Sequence, residues 1–406
     1  MEEYDVIVIG AGPAGSMAAD AIAKAGLSVL VLEKDSIGRE KPCGGFISKR
    51  TIHEYSIPED VIDRRCKGLF LCSPSNETAL LKADFAGGLV MRSKFDKMLI
   101  ERAQRNGAVI EERTNVIEPL ISGGKIVGVK AKKNSAVQEY KSKLVIAADG
   151  TPSTFARKLS LYTPNLSFQG MTASYLMELP KDEIENLTES CIEIYFGYPK
   201  GTDGYAWIFP RGDVLSVGLG STLKSSTLLR LNLGKALREF VTQHPIAKTK
   251  LKDAKIVSKQ AHMIGFPGVL KKIYGNGFLV CGDAAGFVEY ATAEGIYYSM
   301  VSGTYAGNTA VRAITAGDPS EHFLKLFAKE VYKKIGTDLK YGVIVRKMLF
   351  NDNKKQEALI RLARTEPNFA KFLSDFMFED TPPTKTIKHI LTSPRLIFNL
   401  SRLCIP

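Results

Sequence analysis

The chain opens on alternating blocks of apolar and turn-forming residues. Asp5-Val6-Ile7-Val8-Ile9 is a short β-branched run suited to a buried parallel strand, and it stops at Gly10-Ala11-Gly12-Pro13-Ala14-Gly15. A helix is predicted from Pro13, then a second apolar strand over 28–32 that ends on Glu33. Phe95, Met98, Leu99 and Ala103 recur at helical spacing and predict a helix over 93–107. Strands are expected over 108–111, over 125–131 after the Gly123-Gly124 turn, and over 143–148, ending at Asp149-Gly150. From 168 to 220 the texture changes to apolar–polar alternation with turn signals, the pattern of a separate antiparallel sheet. A helix over 227–242 divides that sheet from a strand over 277–280, and Gly282, Gly286 and Gly295 lead into a helix reaching about Ala316. From Ser320 onward the pattern is helical, punctuated by Pro367, Pro382-Pro383 and Pro394. There is no internal repeat and no low-complexity stretch.

Length and composition add bounds. A chain of 406 residues with 45% hydrophobic and 24% charged residues has room for about two or three domains with sizeable cores. No apolar run approaches the roughly 18 residues of a membrane span, and the first strand follows acids and ends in a glycine turn, unlike a signal peptide. Cys43, Cys66, Cys72, Cys191, Cys281 and Cys404 are scattered with no CxxC pair, which argues against a zinc site or a disulfide framework and fits a reducing cytosol. His53, His244, His262, His322 and His389 lack metal-ligand spacing, so no metal is expected. The net charge is +12, and residues 320–406 hold 16 Lys and Arg against 9 Asp and Glu. Arg312, Lys325, Lys329, Lys333, Arg346 and Lys347 alternate with Phe323, Leu326, Phe327, Val331 and Ile335. That is either an amphipathic basic face for a membrane surface, giving a cytoplasmic or peripheral protein, or the packed and solvated faces of ordinary helices.

The first thirty residues carry chemistry. Gly10 allows the tight turn, Gly12 lets backbone approach a pyrophosphate, and Gly15 lets the helix pack on the strand. The helix from Pro13 presents its positive end to phosphates. Glu33 falls 23 residues after Gly10, where its carboxylate can accept ribose hydroxyls. An adenine dinucleotide is therefore expected, and a second glycine fingerprint is missing.

Two later segments carry a resemblance. Leu144-Val145-Ile146-Ala147-Ala148-Asp149-Gly150-Thr151-Pro152-Ser153, with Arg157 following, resembles the Asp-Gly fingerprint of the p-hydroxybenzoate-hydroxylase-like flavoproteins. Phe278-Leu279-Val280-Cys281-Gly282-Asp283-Ala284-Ala285-Gly286 resembles their Gly-Asp segment. The resemblance implies FAD, with Asp283 accepting from the ribityl chain and the following helix turned toward the flavin. Within this group the chain is most similar to the geranylgeranyl reductases, on three further segments. Lys41-Pro42-Cys43-Gly44-Gly45 matches their Pro-Cys-Gly-Gly loop beside the flavin. Met91-Arg92-Ser93-Lys94-Phe95-Asp96 matches an Arg-x-x-Phe-Asp segment whose arginine contacts FAD, and Val116 falls at a further contacting backbone position. Tyr205-Ala206-Trp207-Ile208-Phe209-Pro210, with Gly218 and Gly220, matches a strand lining the lipid pocket. The same resemblance implies FAD contacts at Ala14, Cys43, Gly44, Phe46, Gly286, Gly295 and Ile296. The chain departs from the family at Glu289-Tyr290-Ala291-Thr292-Ala293-Glu294, which would bring a carboxylate and a phenol close to the flavin, and at Phe46, where glycine is common.

The expected fold is α/β, an α+β two-domain flavoprotein. A Rossmann-type FAD domain would comprise 1–70, 90–165 and 275–318. An inserted antiparallel-sheet substrate domain would comprise 71–89 and 166–274, followed by a helical C-terminal region, 319–406. The implied activity is hydrogenation of isolated double bonds in geranylgeranyl chains, with an isoprenoid lipid and an external electron donor (ferredoxin, NAD(P)H or another reductant) as partners and no nucleic acid. Cys43, Tyr205 and Glu294 are candidate catalytic groups, and Cys43 is open to steering, proton donation, electron exchange or mere packing. Tyr205, Trp207 and Phe209 share one strand face, as pocket lining with Gly218 or as core. The alternatives are a flavin-dependent monooxygenase or halogenase, and a lipid-binding electron carrier.

Overall fold

The computed structural model describes residues 3–350 and 352–378, together with Thr392, Pro394 and Phe398. Apart from those three, the expected helical tail beyond 378, with Pro382-Pro383, His389 and Cys404, lies outside the described residues. The chain divides into two compact units. One is Met1–Glu40, Arg92–Phe168 and Ile264–Leu339; the other is Lys41–Met91, Gln169–Met263 and Lys340–Pro406. The segment 41–70 thus clusters with the sheet-rich unit rather than with the nucleotide-type unit, because the strand Phe46–Ser48 pairs with Thr78–Leu89.

The first unit is built on a sheet ordered Tyr274–Gly275, Phe278–Val280, Ala136–Ala147, Glu3–Ile9, Val29–Leu32 and Val109–Glu111. The four strands from Phe278–Val280 to Val29–Leu32 run parallel, and their ends are level: Ile9 lies beside both Leu32 and Ala147, and Ala147 beside Val280. Gly10, Glu33, Asp149 and Gly282 therefore leave the sheet along one edge, the place where parallel α/β sheets bind ligands. Val6 to Val8 and Leu144 to Ala147 are fully buried, which explains their unbroken apolar pattern. The strand Ala136–Ala147 begins earlier than its apolar part, and Thr114–Ser122 forms a strand that the pattern leaves unassigned. Together with Lys125–Lys133 these make an antiparallel arm, whose solvated face hides the alternation.

Two helices, Pro13–Lys24 and Ile296–Thr315, cross backbone to backbone. A Cβ on Gly303 would collide with the Ala14 carbonyl, and one on Gly307 would lie 2.6 Å from the Ala18 carbonyl oxygen.

The second unit holds an eight-stranded sheet ordered Lys255–Gly265, Gln169–Glu178, Val214–Thr222, Tyr205–Arg211, Cys191–Phe196, Arg64–Cys72, Thr78–Leu89 and Phe46–Ser48. Its hairpins are antiparallel as expected, but Cys191–Phe196 runs parallel to Arg64–Cys72, since these strands are far apart in sequence and need no tight turn. The helix expected over 227–242 is two helices, Leu223–Leu228 and Leu233–Gln243, divided at Arg230 with φ 46°, and Asn232 caps the second by accepting the Lys235 N–H. Leu237 and Phe240 pack into a core with Tyr175, Met177, Tyr195, Ile208 and Val217.

His244 closes that core. Its Nδ1 accepts the Ile246 and Ala247 N–H groups at 3.3 Å, so Nε2 carries the proton and faces Cys72 Sγ at 4.0 Å. The ring is 2% exposed, and burial lowers its pKa from 6.5 to about 4. Between those values the unfolded chain binds a proton that the folded ring refuses. Stability should therefore fall as pH drops from 6.5 toward 4, by at most about 3 kcal/mol. Urea midpoints at pH 7.5 and 4.5 test this, and His244→Asn, which keeps a capping acceptor without the titration, should flatten the decline.

The basic stripe does not form one charged face. Arg346 is buried and donates to the Asp203 carbonyl, and Arg312 pairs with Glu330 at 2.6 Å. Leu324, Phe327 and Val331 are buried, so the amphipathic pattern of Glu321–Val331 records packing. No helix among the described residues is long and apolar enough to cross a membrane.

Candidate active site

The glycine turn of the first unit is closed on itself. Gly10 has φ 95°, and a Cβ there would meet Ala148 carbonyl oxygen at 2.5 Å; a Cβ on Gly15 would collide with the Gly10 carbonyl. Gly12 caps the helix Pro13–Lys24 without a side chain, leaving its first amides pointing at the level sheet edge. Glu33 is 6% exposed and already binds backbone: Oε2 accepts the Ala11 N–H at 2.8 Å and Oε1 the Asp35 N–H at 3.0 Å. Its carboxylate thus fixes the turn as well as offering further lone pairs to a ribose. Thr114 N–H bonds the Glu33 carbonyl, bringing the strand that carries Val116 alongside, and the ladder bulges just after Val116.

Asp149 follows the parallel strand Ala136–Ala147. Its Oδ2 accepts the Phe155 N–H at 3.2 Å, whereas Oδ1 is buried with no hydrogen-bond partner among the described residues. Burial pushes this carboxyl above the ordinary carboxylate range. A buried oxygen without a donor asks for one from a ligand. With the collapsed glycine turn and the open helix end, that is the donor set an adenine dinucleotide satisfies. FAD fits these residues.

Asp283 sits in the turn Gly282–Ala285. Its Oδ1 accepts the Ser299 hydroxyl at 3.1 Å and its carbonyl the Thr151 hydroxyl at 2.7 Å, which ties it to the Asp149 turn and to the helix Ile296–Thr315. Gly282 N–H donates to Ser302 at 2.9 Å. Gly286 ends the turn at φ 80°, and Gly295 starts the long helix against Asp283. Ser299, Ser302 and Thr151 are supports that single-residue reading misses; serines at 299 and 302 on one helix face were the available signal.

Arg92 opens the helix Arg92–Arg105 and forks onto Asp96, with Nε–Oδ1 at 2.9 Å and Nη2–Oδ2 at 3.0 Å. The pair holds the guanidinium in one orientation. The Tyr290 phenol donates to the Ser167 carbonyl at 3.2 Å, and its ring packs edge-on against Phe266. Glu294 Oε1 accepts the Tyr297 N–H at 2.9 Å and so caps the long helix.

In the second unit the Cys43 loop and the aromatic strand are one assembly. Tyr205, Trp207 and Phe209 lie opposite Gly220, Gly218 and Ser216 on the neighbouring strand, three large rings against three small residues. A Cβ on Gly218 would run into the Trp207 indole, and one on Gly44 would lie 2.5 Å from Phe209 Cδ2. Trp207 Nε1–H donates to Ser216 Oγ at 3.1 Å, and Ser216 Oγ–H donates to the Cys43 carbonyl at 2.9 Å. Gly45 N–H reaches Cys43 Sγ at 3.3 Å. Below them Arg211, 1% exposed, runs its stem under Gly45 and donates toward the Val90 carbonyl at 3.5 Å. Phe46 packs on Phe378 with centroids 5.7 Å apart. Ser216 and Arg211 went unnoticed in the sequence because only the strand register puts them under the loop.

Comparison with known proteins agrees with this layout. The FAD dependent oxidoreductase family profile matches residues 5–153. A digeranylgeranylglycerophospholipid reductase of Methanocaldococcus jannaschii is 35% identical over 85% of this chain and 87% of its own length. One from Methanocella arvoryzae is 31% identical over 98% of both chains. Among solved structures, a geranylgeranyl bacteriochlorophyll reductase-like protein from Thermoplasma acidophilum superposes with a TM-score of 0.80 at 26% identity, covering 96% of this chain and 99% of that one.

Proposed function

Because the chain belongs to the digeranylgeranylglycerophospholipid reductase family, we propose that it saturates isolated carbon–carbon double bonds of geranylgeranyl chains on archaeal-type glycerophospholipids. The carrying observation is that the likeness to reductases of this one specificity runs through both units, reaching 98% of the chain.

Gly10, Gly12, Ala14, Gly15, Glu33, Val116 and Asp149 would hold the adenine and pyrophosphate half of FAD, and Asp283, Gly286, Gly295 and Ile296 the flavin half. Reduced FAD supplies a hydride when bound. The second hydrogen must arrive as a proton on the other alkene carbon. Cys43 and Tyr205 are the candidates to give it, and each would be reprotonated from solvent. Tyr205, Trp207 and Phe209 would bind the prenyl chain, and the Trp207–Ser216–Cys43 hydrogen bonds would fix the thiol relative to it. An isolated alkene is a poor electrophile, so binding energy from the long chain is spent on position. The two electrons come from an external one- or two-electron donor of ferredoxin or nicotinamide type. A lipid substrate makes contact with a membrane surface part of the reading.

The test is incubation of the dithionite-reduced protein with geranylgeranyl glycerophospholipid, followed by mass spectrometry. Gains of hydrogen pairs are expected. No gain, with flavin bound and reduced, sinks the proposal; substrate-stimulated oxygen uptake in its place would mean an oxygenating flavoprotein.

A further inference from the structure

We propose that the loop 289–294 is a redox-tuning device: Glu289 and Glu294 place negative charge at the start of the helix Ile296–Thr315 and hold the bound flavin at a low midpoint potential. This rests on the FAD reading of the Asp283 region.

The loop is closed by its own backbone, with Glu289 N–H to the Glu294 carbonyl at 2.8 Å and Ala293 N–H to the Glu289 carbonyl at 3.0 Å. The Glu289 side chain turns inward and is 2% exposed. Its Oε1 accepts the Ala291 N–H at 2.9 Å; its Oε2 accepts the Thr292 N–H and the Thr292 hydroxyl, each at 2.7 Å. Three donors converging on both oxygens favour the ionised carboxylate. The Thr292 hydroxyl oxygen in turn accepts the Glu294 N–H at 3.2 Å. Ala293 is held at φ 60°, the left-handed region a residue with a Cβ avoids, and this conformation brings Glu294 to the helix start. There Glu294 Oε1 takes the Tyr297 N–H.

The loop mouth lies on the cofactor region. A Cβ on Gly295 would be 3.3 Å from both Asp283 Oδ1 and Val288 Cγ2. A bare helix N-terminus offers positive potential, which stabilises the negative charge that reduction adds to a flavin and so raises its potential. The Glu294 carboxylate, which accepts an amide of the first turn from just before the N-cap Gly295, and the buried Glu289 carboxylate behind it oppose that field, and burial protects Glu289 from salt screening. The consequence suits the substrate: a flavin of lower potential is a stronger hydride donor toward an unactivated alkene.

Equilibrium reduction of the FAD-loaded protein against a reference dye reads the effect. Glu289→Gln and Glu294→Gln should each raise the reduced-to-oxidised ratio of the bound flavin at fixed dye potential by at least about threefold, and the double variant by more. Ala293→Gly relaxes the backbone without touching charge and should leave the ratio unchanged. Unchanged ratios in both glutamine variants, with flavin bound stoichiometrically, overturn the proposal, as does an equal shift in Ala293→Gly. If Glu289→Gln does not fold, Glu294→Gln alone decides. Failure of the unaltered protein to bind FAD would instead refute the cofactor reading on which the inference stands.

Discussion

Gly303→Val is expected to strip FAD from the protein and to destabilise its first unit by about 3 kcal/mol or more. The new side chain has nowhere to go. At Gly303 the helix Ile296–Thr315 lies on the backbone of Pro13–Lys24, and a Cβ would collide with the Ala14 carbonyl and stand 2.8 Å from Ala14 Cα. Backbone cannot swing aside as a side chain can, so the helices must separate. Separation moves the amides after Gly12 away from the level sheet edge, where a Cβ on Gly282 would likewise lie 2.7 Å from the Ala14 Cβ. Cofactor loss and instability thus share one cause. The flavin-to-protein absorbance ratio and a urea titration measure them. Gly303→Ala should show the same signs at smaller size. Gly234→Ala is the contrast, because its Cβ would meet only Asn232 Oδ1 at 3.5 Å near the start of Leu233–Gln243, and alanine there should be neutral or gain up to about 1 kcal/mol. Stoichiometric flavin in Gly303→Val would refute the close-packed account.

The second large effect is chemical. Cys43→Ala should cut turnover of the geranylgeranyl lipid by about 10²-fold or more, the usual weight of a positioned proton donor, while flavin content stays unchanged. Ser216→Ala should lower turnover by about tenfold through a different route. It releases the Cys43 carbonyl and leaves the Trp207 indole N–H, in a side chain only 8% exposed, without its acceptor. Loss of that tether should also change the rate at which Cys43 reacts with a disulfide reagent, a readout independent of cofactor, and Ser216→Thr should restore both. If Cys43→Ala keeps full turnover, the thiol is packing and Tyr205 becomes the proton donor to test.

Much of the first unit was legible along the chain. The strand Glu3–Ile9, the glycine turn, the helix Pro13–Lys24 and Glu33 are local features, and buried parallel strands write themselves as unbroken apolar runs. The antiparallel arm was harder, because Thr114–Ser122 is solvated and bulged. The membership of the Cys43 loop was misplaced for a related reason. Nothing within 41–48 announces that Phe46–Ser48 will pair with a strand forty residues later.

The sequence by itself therefore determined the dinucleotide turn, the flavin-type aspartates and the reductase family, since each depends on a few adjacent residues whose conformations are set locally. Tertiary structure alone decided what those residues touch. Register placed Ser216 between Trp207 and Cys43, helix crossing required Gly303 and Gly307 to lack side chains, and the fold of 289–294 gave Glu294 the Tyr297 amide and Tyr290 the Ser167 carbonyl as partners. Such contacts join positions tens to hundreds of residues apart, and only packing of whole elements fixes which of them meet.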